Sequence, residues 1–89
     1  MELNITVEIW EKGGRFVARC PELDFVSQGK NPDEAKKHLL EVIEIQFEEM
    51  TEMGTLEDYL SECGYERELD TFVPLNKMIN SEKHLFRMV

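Results

Sequence analysis

Eighty-nine residues, 42% of them hydrophobic and with a formal net charge of −9, bound a single small domain with a thin core and exclude wholesale disorder. No apolar run approaches the length of a membrane span. The start Met1-Glu2-Leu3-Asn4 lacks the basic and apolar regions of a signal sequence, so the expected location is the cytoplasm. The acid is concentrated: residues 32–70 carry 13 acids against 3 bases, whereas residues 71–89 carry 1 acid against 3 bases. A surface this acidic repels phosphate backbones and suits a basic protein partner, or else it is simply a solubilising helix face.

Leu3 to Trp10 alternates strictly, with Leu3, Ile5, Val7 and Ile9 on one face and Asn4, Thr6, Glu8 and Trp10 on the other, which predicts a half-buried strand. Gly13-Gly14 supplies the positive φ angles of a tight hairpin. The next strand, Arg15 to Cys20, points Phe16, Ala18 and Cys20 inward and Arg15, Val17 and Arg19 outward. Pro21 cannot donate to a ladder and ends the strand. Glu22-Leu23-Asp24 makes a bend, Phe25 to Gln28 a short third strand, and Gly29 is expected to relieve backbone strain at its exit.

Asn31-Pro32-Asp33-Glu34 is a helix start: a capping side chain, a proline in the first turn, and two acids at the positive end of the dipole. The helix should run from Pro32 to about Met53. Ala35, Leu39, Val42, Ile43, Gln46, Phe47 and Met50 form its inner stripe, and Glu34, Glu41, Glu44, Glu48, Glu49 and Glu52 line its polar side. Leu40 and Ile45 fall beside or behind the stripe; if exposed, they mark a partner surface. Gly54 closes the helix. Thr55 is expected to cap a second, short helix with Leu56, Tyr59, Leu60 and Cys63 inward, ended by Gly64. Tyr65 to Asp70 reads as a polar connection, Thr71-Phe72-Val73 as a short strand before Pro74, and His84 to Val89 as a final strand. The whole is one domain, with a core over residues 1–70 and a strand-containing tail over 71–89.

Phosphate-loop, HExxH and CxxC patterns are absent, so no cofactor or metal site is expected. Cys20 and Cys63 read as reduced, part-buried thiols. His38 reads as a solvated helix histidine, and His84 sits in the basic tail. The order of sheet and helix resembles ribonuclease H, whose metal chemistry needs converging carboxylates. Glu8, Glu22, Asp24 and Glu34 are the candidates, but each is accounted for as a polar-face, turn or dipole residue, so no enzyme is expected.

Ala18, Cys20, Pro21, Glu22, Leu23, Ser27, Gln28, Gly29, Glu34 and Ala35 form the pattern A-x-C-P-E-L-x3-S-Q-G-x4-E-A, following a strand and a Gly-Gly turn. This resembles the HicB family of antitoxins over residues 3–64. The resemblance implies an α+β, partial ribonuclease H-like fold: three antiparallel strands plus a further strand, covered by one long and one short helix, without the nuclease's catalytic residues. It also implies binding and neutralisation of a HicA-type toxin, a small basic protein that cleaves messenger RNA. Two features depart from the family. Asp24-Phe25 stands where many members have Pro-Gly, and residues 71–89 offer neither a helix-turn-helix nor a ribbon-helix-helix, so direct DNA binding is not expected.

The partner surface expected on these grounds is Glu41, Glu44, Glu48 and Glu52 on the long helix, with Trp10 contributing. The alternative is a homo-oligomeric scaffold without a toxin. It is assembled as a homodimer or higher oligomer through the apolar end Leu85, Phe86, Met88 and Val89, because an exposed apolar edge strand should be paired.

Overall fold

The computed structural model describes residues 2–88. The chain is α+β. In order it forms β1 (Glu2–Leu3), β2 (Glu8–Lys12), β3 (Arg15–Cys20), β4 (Phe25–Gly29), α1 (Pro32–Met53), α2 (Leu56–Glu62), β5 (Tyr65–Glu68) and β6 (Thr71–Pro74). Strands β2-β3-β4 make the expected antiparallel sheet with α1 across one face. The further strand belongs to a second three-stranded sheet of order β1-β6-β5, in which β1 runs parallel to β6 and β5 antiparallel to it.

The single N-terminal strand predicted from the alternation is two strands in different sheets. Leu3 pairs with Phe72 in one sheet, and Ile9 pairs with Ala18 in the other. Between them the ladder gives way to side-chain bonds. Glu22 takes the Thr6 backbone N–H at 3.0 Å and the Thr6 hydroxyl at 2.6 Å, and the Tyr65 hydroxyl donates to the Asn4 carbonyl at 3.0 Å. The alternation still turns Leu3, Ile5 and Val7 toward the core, but Ile9 is 40% exposed at the sheet margin.

The β2–β3 hairpin closes on Gly13 (φ 57°) and Gly14 (φ 80°) with Lys12 opposite Arg15, a two-residue turn that needs positive φ at both positions. Gly29 works differently from the expectation. Its φ is not positive; instead, a Cβ there would lie 2.5 Å from the Ala35 nitrogen. The glycine is a contact point where β4 touches the first turn of α1.

Helix α1 has the predicted bounds. The Asn31 side chain accepts from the Glu34 N–H at 2.8 Å, and the Glu34 carboxylate reaches back to the Lys30 N–H at 3.2 Å. Ala35, Leu39 and Ile43 are its buried residues. Each buried Leu or Ile contributes about 1.5–3 kcal/mol over the exposed state. Together with Ala18, Cys20, Leu23, Leu60, Tyr65 and Phe72 they make one core.

Three further expectations are corrected. Thr55 precedes α2 without a side-chain capping bond; its N–H instead donates to the Met50 carbonyl at 2.8 Å, finishing the end of α1. Tyr65 to Asp70 is not a connection but β5 and its turn, because Tyr65 is 3% exposed and pulls an otherwise polar segment into the sheet. Residues 84–88 form no strand, and Leu85, Phe86 and Met88 are 80–89% exposed. None of the three belongs to the buried core or to the partly buried residues packed against it.

Candidate functional site

The long helix offers one continuous acidic face. At 100° per residue, Glu41, Glu44, Glu48 and Glu52 cluster about the direction opposite Leu39, so they point away from the sheet. All four are exposed. Among the described residues, one cation pairs with them: Lys37 lies 4.0 Å from Glu41, with both side chains more than half exposed. That pair is worth little against water, so the negative field of the row stands nearly intact. Glu44, Glu48 and Glu52 border a shallow groove floored by Phe47 and Thr51. Leu40 and Ile45 flank the row at 41% and 56% exposure, and both meet the condition set for a partner surface.

Trp10 is elsewhere. Its cross-strand partner is Val17, which in turn faces Gln28, and this set lies on the sheet face turned away from α1. Trp10 is 55% exposed, and its indole N–H points to Glu8 at 3.4 Å. The sheet and helix layers separate it from the glutamate row, so one flat partner cannot touch both.

At the apolar end, Leu85, Phe86 and Met88 are exposed, and His84 meets Phe86 edge-on with ring centres 6.3 Å apart. Val89 lies outside the described residues.

The four carboxylates weighed for metal chemistry have other contacts. Glu22 holds Thr6 and accepts from the Cys20 thiol at 3.6 Å. Burial alone would raise its pKa, but hydrogen bonds from Thr6, from its own backbone and from Cys20 together hold it below the usual carboxylate value. Glu34 completes the helix cap, and Asp24 takes the turn position at φ 59°. Glu8 shares a groove with Glu22, lined also by Asn4, Thr6 and Tyr65. Among the described residues, no group of three or more His, Cys, Asp or Glu side chains is placed to hold a metal ion.

Burial pushes the Cys20 thiol up, the reactivity-lowering direction, and both cysteines are free. His38 is half-buried, and its Nδ1–H donates to the Gln28 carbonyl at 2.8 Å. That bond satisfies an acceptor near the end of β4 and ties α1 to the strand.

Two features were not singled out from the sequence. One is the clamp of Glu22 on Thr6, whose partners are 16 residues apart and carry no periodic signal. The other is the open sheet face around Trp10, Val17 and Val26. Its signal was the outward position of Val17, an apolar residue on a side left without a covering helix. Among the described residues, no helix is long and apolar enough to cross a membrane. Comparison with protein-family models, with curated proteins and with solved structures gives no match.

Proposed function

We propose that the chain acts by stoichiometric binding, as a HicB-like antitoxin or a stand-alone relative of that family with a partial ribonuclease H-like fold. Its partner in this reading is a small, basic, messenger-RNA-cleaving protein of the HicA type, engaged on the outer face of α1. The observation that carries the reading is the row Glu41, Glu44, Glu48 and Glu52, exposed and opposed by a single weakly paired lysine. Complementary charge of this kind speeds encounter and rejects acidic competitors, and the flanking Leu40 and Ile45 add apolar contact. Trp10, on the other side of the sheet, is not part of that footprint. The reading makes the chain a non-catalytic binder without cofactor.

The test is co-expression with any small basic open reading frame beside its gene, followed by co-purification. A complex that is lost in the Glu44→Lys/Glu48→Lys double variant, with the thermal midpoint unchanged, supports the reading. The absence of both neighbour and complex removes the antitoxin function.

A second reading is favoured by Leu85, Phe86 and Met88, which stand 80–89% exposed: a homo-oligomeric scaffold without a toxin. Light scattering at micromolar concentration, before and after deletion of residues 82–89, distinguishes it. A monomer unchanged by the deletion removes tail-mediated assembly.

A further inference from the structure

Two apolar surfaces are left without cover, and they match each other. The first is the open face of the β2-β3-β4 sheet. Trp10, Val17 and Val26 line a groove of about 600 Å³ there, with Lys12, Arg19 and Gln28 around it. Arg15 falls on the same face, opposite Lys12, and the acids beside these bases are Glu8 and, at the groove's rim, Glu11. The second surface is the C-terminal arm after Leu75, whose N–H is still tied to the Gly64 carbonyl at 2.8 Å.

The arm has no regular structure, but its sequence has a period. Met78, Ile79, Glu82, Leu85 and Phe86 follow the i, i+1, i+4, i+7, i+8 spacing of one helical face, and Val89, outside the described residues, continues it. On a helix these positions fall within a sector of about 120°. Lys77, Asn80, Lys83 and Arg87 fall outside it. The stripe contains a single charge, Glu82.

We propose that residues 77–88 form an amphipathic helix that docks on the open sheet face of a second copy of the chain. Four observations converge on that occupant. The stripe's lone carboxylate, Glu82, meets a sheet face on which the three bases Lys12, Arg15 and Arg19 outnumber the two acids Glu8 and Glu11. A 12-residue helix is about 18 Å long, the length of a strand of five or six residues, and β2, β3 and β4 are of that length. The arm also projects from the body. The radius of gyration is 15.7 Å, where a compact chain of this length has about 12 Å. Met78, Ile79, Leu85 and Phe86 are 77–89% exposed while the sheet face of the same chain stays open. Finally, arm and face occur on every copy, so reciprocal exchange closes a two-fold dimer and leaves no surface to propagate.

The exchange buries neither Glu41 nor Glu44, Glu48 or Glu52. It therefore does not rest on the antitoxin reading, and a dimer can present two acidic faces.

The test is light scattering on the full chain at micromolar concentration, with far-ultraviolet circular dichroism and Trp10 fluorescence. The wild type is expected to be dimeric, with Trp10 emission shifted to the blue and more helical signal than the Phe86→Asp variant. That variant, altered at an exposed position, becomes a monomer with red-shifted emission. Arg19→Glu raises the dimer dissociation constant about tenfold, the equivalent of 1.4 kcal/mol, and adding Glu82→Arg restores it.

A monomeric wild type overturns the proposal, as does a dimer indifferent to both Phe86→Asp and Arg19→Glu. A monomer whose Trp10 emission still shifts with Phe86→Asp places the arm on its own sheet and overturns the second-copy occupant. Sedimentation of a monomeric wild type with anionic phosphatidylglycerol vesicles, lost in Phe86→Asp, assigns the arm to lipid and overturns it too.

Discussion

The two halves of the chain are held by different means. From Glu8 to Met53 the structure is built on short-range agreement: a glycine hairpin, a strand, a bend, a second strand, and a capped helix whose buried face follows its own periodicity. From Gly54 onward, α2, β5 and β6 are held by a few long-range anchors. Leu60, Tyr65 and Phe72 are buried, the Tyr59 hydroxyl reaches the Leu23 carbonyl at 2.6 Å, and Tyr65 reaches Asn4, 61 residues away. Arg67 pairs with Glu57 at the surface. The first half has many signals that agree, whereas the second depends on contacts that the chain makes only after collapse. Local consistency of the first kind is what makes a fold cooperative and readable.

The largest test of this contrast is the inner stripe of α1. Leu39 is fully buried, and Leu39→Ala should cost about 3 kcal/mol through lost transfer energy and an unfilled cavity. Leu40→Ala, next along the helix but 41% exposed, should cost under about 1 kcal/mol. Urea unfolding of both variants checks the pair. Equal losses would mean that Leu40 is also covered, and the acidic face would then need redrawing.

Next is the seam between β4 and α1. Because an added Cβ at Gly29 meets the Ala35 backbone at 2.5 Å, neither side can yield as a flexible side chain would. Gly29→Ala should destabilise by about 2 kcal/mol through overpacking. Gly13→Ala also loses stability, but from backbone strain in open space, since nothing lies within 4 Å of its Cβ direction. Thermal unfolding of a Gly29→Ala/Ala35→Gly double variant separates the causes, because removing the Ala35 side chain leaves the clashing backbone nitrogen in place and gives no rescue.

The two helix starts give a smaller and more direct comparison. Asn31 makes its capping bond and Thr55 does not. Asn31→Ala should therefore lose about 1 kcal/mol, and Thr55→Ala less than about 0.5 kcal/mol. A loss at Thr55 equal to that at Asn31 would show a cap forming in solution and would make the two halves alike in this respect.

Legibility in the sequence follows the same division. The bounds of α1, the glycine hairpin, β3 and β4 were all readable, because each is announced within a few residues by caps, glycines or alternation. Tyr65 reads as part of a connection because Glu66, Arg67 and Glu68 beside it are polar; one buried aromatic in a four-residue strand leaves no period to detect. His84 to Val89 reads as a strand on hydrophobicity, although the helical spacing from Met78 to Val89 competes with that reading. On the candidate surface, the glutamate row was readable because it needs only helical geometry. That Trp10 faces the other way was not, because it depends on which side of the sheet α1 covers.

The crossing between the two halves gives the smallest effect, read from pH. Glu22, in the turn after β3, holds Thr6, which lies in the segment where the chain passes from one sheet to the other. Its folded pKa lies below the ordinary value of 4.5: burial opposes the charged form, but hydrogen bonds from Thr6, its own backbone and Cys20 together offset this. For a depressed carboxylate, the stabilisation is present above the unfolded pKa and is lost as pH falls through the folded one. The stability advantage of the wild type over Glu22→Gln should thus be constant near neutrality and shrink below about pH 4.5, the ordinary carboxylate value. Glu52→Gln, altered on the exposed helix face, should show no such convergence. Thermal midpoints of the three proteins across the acid range make the measurement, and a Glu22→Gln difference that stays constant down to the lowest pH would mean that the clamp is not ionic.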